Sequence, residues 1–319
     1  MMRVAILDDY QGVALGMADW QSLHPGAEMR AFPDHIDDLD ALAHRLHAFE
    51  CVVLMRERTP FPATLFEKLP NLRLLVTAGM RNASIDLTAA TAHKVQVSGT
   101  DMLPYPTAEL TWGLILALCR RIPREDRAVR TGRWQTTLGI GLKGKTLGLV
   151  GLGRLGGQVA RIGRAFGMEV IAWSQNLTAE RAAEAGAALV AKEELFARAD
   201  VISVHLVLGP RSRGLIGAAE LARMKPTAFL VNTSREPIVD ETALIAALRE
   251  RRIAGAALDV FEPEPLPANH PLLALDNTVI TPHLGYVTEE GYRLLYGQAV
   301  ENIRAFIAGT ALRPLNQLG

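Results

Sequence analysis

Short apolar runs alternate with stretches of helical spacing through the first part of the chain. Runs with the length of buried strands cover residues 3–7, 29–32, 51–55, 72–77 and 95–98. Helical patterns lie between them at residues 37–47, 62–69 and 88–93, and the first places Leu39, Leu42 and Leu46 on one face. This alternation predicts a small parallel α/β unit of about a hundred residues.

Residues 108–121 break this alternation. They include the run LTWGLILALC, which predicts a helix that is buried rather than amphipathic. Such a helix either crosses from one domain to another or lies in a subunit interface. The chain after it is rich in arginine, with Glu125 and Asp126 interleaved, which favours a solvated helix face over an anion-binding site. The arginines are Arg120, Arg121, Arg124, Arg127, Arg130 and Arg133.

A second α/β pattern begins at Lys145. Its predicted strands are residues 146–150, 169–173, 187–190, 201–206, 228–232, 255–259 and 278–281. Helical patterns fill the gaps at residues 178–185, 192–198, 218–224 and 240–251, and residues 288–307 form a long helix that could return to the first unit. The predicted fold class is α/β, with two doubly wound parallel sheets that bind ligands at the carboxyl ends of their strands.

A glycine-rich stretch follows the first strand of the second unit. Residues 144–160 read GKTLGLVGLGRLGGQVA, so Gly151, Gly153 and Gly156 have the spacing G-x-G-x-x-G between a strand and a helix that continues to Phe166. The first glycine makes a tight turn, the second lets the backbone approach a pyrophosphate, and the third lets the helix pack on the strand. This context predicts dinucleotide binding at the helix N-terminus, with an ordinary βα turn as the alternative.

Composition narrows the possible functions. The 319 residues suffice for about two domains. Lys plus Arg and Asp plus Glu are equal at 34 each, so nothing favours nucleic acid or an acidic membrane as a partner. Cys51 and Cys119 lie in or beside apolar runs, which indicates core thiols rather than a disulfide or a metal site. No signal peptide or membrane-spanning run is visible, so we expect a cytoplasmic protein.

Chemically active side chains follow the last three predicted strands. Arg235 comes after 228–232, an acidic segment with Glu264 after 255–259, and His283 after 278–281. Each alone has a structural alternative. Arg235 could cap a loop, Glu264 could be a surface residue, and His283 could be a structural histidine whose hydrogen bonds are all made within the protein. Together they suit the oxidation of a hydroxy acid. The Arg235 fork matches a carboxylate or an α-keto acid, His283 takes or returns the hydroxyl proton, and a carboxylate beside the ring favours the imidazolium.

Five motifs in these positions resemble the D-isomer-specific 2-hydroxyacid dehydrogenases. They read GLVGLGRLG, SVHLVLGPRSRGLIG, MKPTAFLVNTSR, AALDVFEPEP and TPHLG, and the resemblance covers essentially the full length. It implies that Arg235, Glu264 and His283 are the catalytic trio. It also implies a flavodoxin-like substrate-binding domain made of residues 1–100 and 285–319, into which a Rossmann dinucleotide-binding domain of residues 101–284 is inserted, and a homodimer built around residues 108–133.

The same resemblance assigns contacts to the cofactor and the substrate. Asp259 and the Thr233 region would face the nicotinamide, His205 would lie along the cofactor, and backbone near Gly79, Met80 and Arg81 would hold the substrate carboxylate. Arg81 is either a second anion contact or a surface residue. The full set of predicted cofactor-binding residues is Gly151, Gly153, Arg154, Leu155, Gly156, Ser174, His205, Thr233, Asp259 and Gly285.

Three features depart from the family pattern or leave the cofactor open. Glu236 follows Arg235 where relatives commonly have Gly, and Val207 and Gly209 stand where the family has Pro and Thr. An NAD-preferring site usually carries an acid at the end of the second strand. Residues 172–176 contain Ser174 there and no acid, so the cofactor is NAD(H) or NADP(H).

Two rival functions remain. The first is a dinucleotide-binding regulatory or scaffold protein on the same fold, because the family includes transcriptional corepressors of this kind; the intact trio argues against it. The second is another nicotinamide enzyme, such as an amino-acid or formate dehydrogenase. The leading prediction is an oxidoreductase that transfers a hydride between NAD(P)(H) and a small D-2-hydroxy or 2-oxo acid. The sequence selects neither the acid nor the physiological direction.

Overall fold

The computed structural model describes residues 1–318. The chain divides into two compact units. The first consists of Met1–Leu103 together with the C-terminal segment from Val287, and the second of Pro104–Tyr286.

The first unit is built on a five-stranded parallel sheet. Its order is β2-β1-β3-β4-β5, which is the flavodoxin-like arrangement. Every residue of β3 and β4 is buried, and this explains their unbroken apolar sequence. The strands are β1 (Met2–Ile6), β2 (Ala27–Ala31), β3 (Cys51–Leu54), β4 (Leu74–Thr77) and β5 (Gln96–Ser98).

Three short helices connect these strands. They are α1 (Leu39–Leu46), α2 (Ala63–Glu67) and α3 (Leu87–Ala92). The Asp38 and Asp86 carboxylates cap the first turns of α1 and α3, as N-cap residues do. Two turns of 3₁₀ helix at Ala14–Gly16 and Trp20–Leu23 were not predicted, since no hydrophobic period marks them.

The second unit contains seven parallel strands in the order β12-β11-β10-β9-β6-β7-β8. Strand order reverses between β6 and β9, which is the Rossmann switch point where ligands bind. Apolar clusters pack against the sheet. The strands are β6 (Thr146–Val150), β7 (Glu169–Trp173), β8 (Ala188–Leu189), β9 (Val201–Val204), β10 (Phe229–Asn232), β11 (Gly255–Leu258) and β12 (Thr278–Ile280). The predicted fold class is confirmed.

Seven helices surround this sheet in the part of the chain that the structure describes. They are α4 (Pro106–Cys119), α5 (Ile122–Arg130), α6 (Arg154–Ala165), α7 (Ala179–Glu184), α8 (Lys192–Arg198), α9 (Ala218–Arg223) and α10 (Glu241–Arg249). Helix α4 is largely buried and packs on α6, β10, β11 and β12, all within the second unit. Arg121, with φ of 57°, separates α4 from α5.

The arginine-rich segment forms a solvated helix, as the interleaved charges indicate. In α5 only Ala128 is buried. Arg130 and Asp126 make an exposed ion pair one turn apart, with a nitrogen–oxygen distance of 2.9 Å. The last helix, α11 (Glu289–Ile307), belongs to the first unit and packs against β4.

The two cysteines are buried and free, as expected for core thiols. Burial raises the pKa of both, that of Cys119 to about 11. Among residues 1–318, no helix is long and apolar enough to span a membrane. The same residues contain no cluster of three His, Cys, Asp or Glu side chains suited to a metal ion.

Candidate active site

The glycine-rich loop connects β6 to α6 and has the geometry that its spacing predicts. Gly151 has a φ of 101°, and a Cβ there would overlap the His205 carbonyl oxygen. A Cβ on Gly156 would overlap the Gly151 carbonyl in the same way. The chain itself therefore requires glycine at the first and third positions, because the turn is left-handed and the helix lies close to the strand end.

The middle glycine has a different reason to be small. Gly153 is exposed at the N-cap of α6, and an added Cβ would meet no protein atom within 4 Å. Its missing side chain leaves open space at a twelve-residue helix N-terminus, where backbone N–H groups favour an anion. Arg154 is exposed at the first position of α6, and Leu155 follows it, half-buried. The loop therefore fits the pyrophosphate of a dinucleotide.

His205 follows β9 beside this loop. Burial lowers its pKa to about 4, so the ring is neutral at physiological pH. Its Nε2 lies 2.9 Å from the Ser203 hydroxyl, while its buried Nδ1 has no hydrogen-bond partner among the described residues. An unpaired buried polar atom beside the glycine loop is satisfied most simply by a bound ligand, which suits the predicted place of His205 along the cofactor.

The residues after β7 lie at the end of the strand next to β6. Ser174 is half-buried, and Gln175 and Asn176 are exposed. Arg181 is exposed on α7, where its backbone N–H donates to the Thr178 hydroxyl. This strand end therefore presents neutral hydrogen-bonding groups.

The predicted trio follows three neighbouring strands. Arg235 comes after β10, Glu264 after β11 and His283 after β12. The structure brings two of the side chains into direct contact, since His283 Nδ1 lies 2.7 Å from Glu264 Oε2. Both are partly exposed, at 17% and 23%. With Nδ1 bound to a carboxylate, Nε2 is the ring atom left to exchange a proton with a ligand.

Glu264 is held from two sides. Its Oε1 accepts a hydrogen bond of 2.9 Å from the Phe261 N–H, while Oε2 binds His283. Burial acts to raise the pKa of Glu264, but the His283 contact, the Phe261 N–H and the charge of Arg235 outweigh it and hold the pKa below its usual value. Glu264 is therefore an ionised partner for the ring at neutral pH.

Arg235 is positioned by its own loop. The Asn232 side-chain amide donates to the Arg235 carbonyl at 2.9 Å and accepts from the Ser234 N–H at 3.0 Å. The guanidinium Nη1 donates to the Ser234 carbonyl at 2.7 Å. Asn232 was not among the predicted site residues, although its place at the end of β10 was a usable signal.

Asp259 holds the turn that carries His283. Its buried carboxylate accepts hydrogen bonds from the Thr281 hydroxyl at 2.6 Å, the Leu284 N–H at 2.7 Å and the Gly285 N–H at 2.9 Å. Burial raises the pKa of Asp259, and these three donors oppose the rise. Both predicted cofactor contacts in this region, Asp259 and Gly285, are thus bonded to each other.

His283 also has a conformation and a neighbour that the sequence did not reveal. Its φ of 53° is left-handed, which is uncommon for a residue with a side chain. The Tyr286 ring is buried and packs against it with ring centroids 5.6 Å apart and planes at 76°, a favourable edge-to-face arrangement. Thr233, the other predicted nicotinamide contact, is buried and bonded to Thr111.

The predicted carboxylate loop lies in the first unit, after β4. Gly79 has a φ of 92°, and its N–H donates to the Thr100 hydroxyl at 3.0 Å. Met80 and Arg81 are exposed. A Cβ at Gly79 would overlap the guanidinium of Arg56, which itself donates to the Ala78 carbonyl at 3.2 Å.

The departures from the family pattern also have definite places. Val207 is 83% exposed in the loop after β9. Glu236 lies in a 3₁₀ turn, Glu236–Ile238, directly after Arg235. Burial, followed by repulsion from Glu241 and Glu262, raises the pKa of Glu236 to about 7, with Arg213 opposing.

Comparisons with known proteins show which family the chain belongs to. Residues 112–285 match the model of the D-isomer specific 2-hydroxyacid dehydrogenase NAD binding domain. A glyoxylate reductase of Aeropyrum pernix is 44% identical over 255 residues, which cover 77% of this chain and 76% of the relative.

Two solved structures cover nearly the whole chain. A phosphoglycerate oxidoreductase of Vibrio cholerae is 39% identical with a TM-score of 0.93 and covers 97% of this chain and 100% of its own. A D-lactate dehydrogenase of Aquifex aeolicus in complex with NAD and lactic acid is 26% identical with a TM-score of 0.78 and covers 96% of each chain. This chain therefore belongs to the D-isomer-specific 2-hydroxyacid dehydrogenase family.

Proposed function

We propose that this chain transfers a hydride between NAD(H) or NADP(H) and a small D-2-hydroxy or 2-oxo acid. The observation that carries the proposal is the 2.7 Å contact between His283 Nδ1 and Glu264 Oε2. These two residues follow β12 and β11, and Arg235 follows the neighbouring strand β10. The second unit holds the dinucleotide at the Gly151–Gly156 loop. The backbone at Gly79, Met80 and Arg81 remains the predicted contact of the substrate carboxylate.

The residues divide the chemistry between them. The bound dinucleotide supplies the hydride acceptor in oxidation and the hydride donor in reduction. His283 Nε2 takes the substrate hydroxyl proton as the hydride leaves C2, and it returns that proton to the oxo oxygen in reduction. Glu264 orients the ring and stabilises its charged form. Arg235 binds the substrate carboxylate through its planar guanidinium group.

A panel of 2-oxo acids of increasing size, beginning with glyoxylate, tests this function with NADH and NADPH. Formate with the oxidised cofactors, and 2-oxo acids with added ammonium, test for the other nicotinamide enzymes. We expect cofactor oxidation with at least one 2-oxo acid. A protein that binds the dinucleotide tightly but turns over no substrate would support the regulatory or scaffold function instead.

The pH dependence tests the Glu264–His283 pair. Glu264→Gln removes a negative charge that stabilises the protonated His283 ring. Oxidation needs the neutral ring, and its acid limb should move to lower pH. Reduction needs the protonated ring and should fail at a lower pH than in the wild type. Rates measured across pH in both directions check this, with Glu264→Asp as a control that keeps the charge. Unchanged profiles would refute the pairing.

Cofactor choice is proposed to be dual, with NADPH at least tolerated. Ser174, Gln175 and Asn176 can each bond a hydroxyl or a phosphate, and none repels a 2′-phosphate. Ser174→Asp should depress NADPH turnover strongly and leave NADH near its starting value, while Ser174→Ala adds no charge and serves as the control. A comparison of kcat/KM for NADH and NADPH, in the wild type and both variants, tests whether the protein uses both cofactors. A wild-type preference for NADH above ~10³-fold, about 4 kcal/mol, would exclude dual use.

We further propose that the protein works as a homodimer built around residues 108–133, which include the exposed helix α5. Trp134 and Leu138 are 77% and 94% exposed in an irregular stretch, and Ile122 and Val129 are exposed on α5. Exposed apolar side chains this close together in sequence favour an interface.

We place the protein in the cytoplasm, in keeping with its two free thiols.

A further inference from the structure

Two threonines of α4 are bonded to both loops that carry the proposed catalytic side chains. Thr107 Oγ1 donates to the Gly285 carbonyl at 2.7 Å, two residues after His283. Thr111 Oγ1 lies 2.9 Å from Thr233 Oγ1, two residues before Arg235. These contacts span 178 and 122 residues of sequence, and all of them lie within the second unit.

The hydrogen bonds have a definite direction. Thr111 Oγ1 lies 2.7 Å from the Thr107 carbonyl, which can only accept, so the single Thr111 proton is used there. The Thr233 hydroxyl must therefore donate to Thr111. Hydrogen bonds thus run from the Thr233 hydroxyl to the Thr111 hydroxyl and on to the Thr107 carbonyl. The side chain of the same Thr107 then donates to the Gly285 carbonyl, so this network links the Arg235 loop to the His283 loop through the first turns of α4.

The Thr111 and Thr233 end of this hydrogen-bond network is enclosed by protein, whereas Thr107 is half-buried. Thr111 is fully buried and Thr233 is 7% exposed. A Cβ on Gly285 would lie 3.2 Å from Asp259 Oδ2 and 3.3 Å from both Thr107 Oγ1 and Cγ2, so the turn after His283 fits closely between Asp259 and α4. A buried hydroxyl that loses its partner cannot be compensated by solvent without movement of the loop.

We propose that Thr107 and Thr111 are positioning residues that set the Arg235 loop relative to the His283 loop. This inference rests on the proposed function, since it concerns the geometry of the same site. Thr107 acts on the His283 side through Gly285, and Thr111 acts on the Arg235 side through Thr233. Neither touches a reacting atom.

The two threonines should affect different kinetic constants. Thr111→Val leaves the Thr233 hydroxyl without its acceptor and loosens the Arg235 loop, so KM for the 2-oxo acid should rise about 5- to 10-fold with a smaller effect on kcat. Thr107→Val frees the Gly285 carbonyl and shifts His283 against Glu264. It should lower kcat about 5- to 10-fold and move the acid limb of the oxidation profile.

Conservative and control variants separate positioning from general stability. Thr111→Ser and Thr107→Ser keep the hydroxyls and should return both constants to within about threefold of the wild type. Thr310→Val is the matched control, because Thr310 is exposed just after α11 and its hydroxyl donates to the Ala305 carbonyl of that helix. NADH binding, followed by fluorescence, should weaken less than the affinity for the 2-oxo acid, because the glycine loop is untouched and only the predicted contacts Thr233 and Gly285 are affected.

Amide hydrogen exchange on the ligand-free protein tests the inference without turnover. Exchange at residues 233–235 should rise in Thr111→Val, and at residues 283–285 in Thr107→Val, but at neither in Thr310→Val. If the wild type reduced no 2-oxo acid, the proposed function would fail while this measurement still decided whether the threonines hold the loops. Unchanged exchange in both valine variants, or lower melting temperatures with unchanged kcat, KM and pH profile, would overturn the inference.

Discussion

His283→Ala should lower kcat by ~10²–10⁴, the usual contribution of a positioned acid–base group, while the cofactor still binds. The reason is the geometry around the ring. His283 Nδ1 is hydrogen-bonded to Glu264 Oε2 at 2.7 Å, and the Tyr286 ring packs against the imidazole. Nε2 is therefore the ring nitrogen that can exchange a proton with the substrate. Steady-state kinetics in both directions, with the cofactor Kd from fluorescence titration, measure the effect.

The left-handed conformation of His283 calls for a second variant. Alanine is strained at a φ of 53°, whereas asparagine tolerates this region, so His283→Asn separates lost chemistry from a disturbed turn. His270 offers a matched control, because its Nε2 also contacts a carboxylate, Glu241, at 3.2 Å in the same unit. His270→Ala should keep turnover near the wild type. Near-normal kcat in both His283 variants would show that another group moves the proton.

Arg235→Lys should lower kcat/KM for the 2-oxo acid at least ~10-fold. Lysine keeps the charge but lacks the two-pronged geometry that matches a carboxylate, and one charge-assisted hydrogen bond contributes ~1.5–3 kcal/mol. The loss should appear with the 2-oxo acid and not with the corresponding aldehyde, which lacks the carboxylate. Kinetics with both substrates, in wild type and variant, measure it.

A surface arginine gives the control for this substitution. Arg252 makes an exposed ion pair with Glu250 at 2.9 Å, and Arg252→Lys should leave both substrates unaffected. If Arg235→Lys has unchanged kinetics on the 2-oxo acid, Arg235 supports its loop through the Ser234 and Asn232 contacts and does not bind substrate.

Glu236 departs from the family pattern, and the neighbouring side chains determine its pKa. A glutamate in the turn after Arg235 is unremarkable as sequence. In the structure it is half-buried near Glu241 and Glu262, and its pKa is raised to about 7. No comparable prediction was possible from composition, because the acids that repel it come from other segments, Glu241 at the start of α10 and Glu262 after β11.

The local sequence by itself determined the elements and the order of the chemical groups along the chain. The apolar runs predicted nearly every strand, because buried parallel strands need continuous hydrophobic sequence. The G-x-G-x-x-G spacing predicted the β6–α6 turn, since the close approach of backbone atoms at Gly151 and Gly156 leaves no room for a side chain. Arg235, Glu264 and His283 were identified by their positions after three strands.

Only the tertiary structure decided how those groups are held. Some strands are shorter than predicted, because their last residues leave the sheet to form loops. The strand predicted at residues 201–206 ends at Val204, and His205 lies against the glycine loop. The Asp259 clamp on the His283 turn and the contacts of Thr107 and Thr111 with the two loops depend on hydrogen bonds between residues 22 to 178 positions apart. Local propensity carries no information about such pairs, because their partners meet only when β10, β11 and β12 lie side by side.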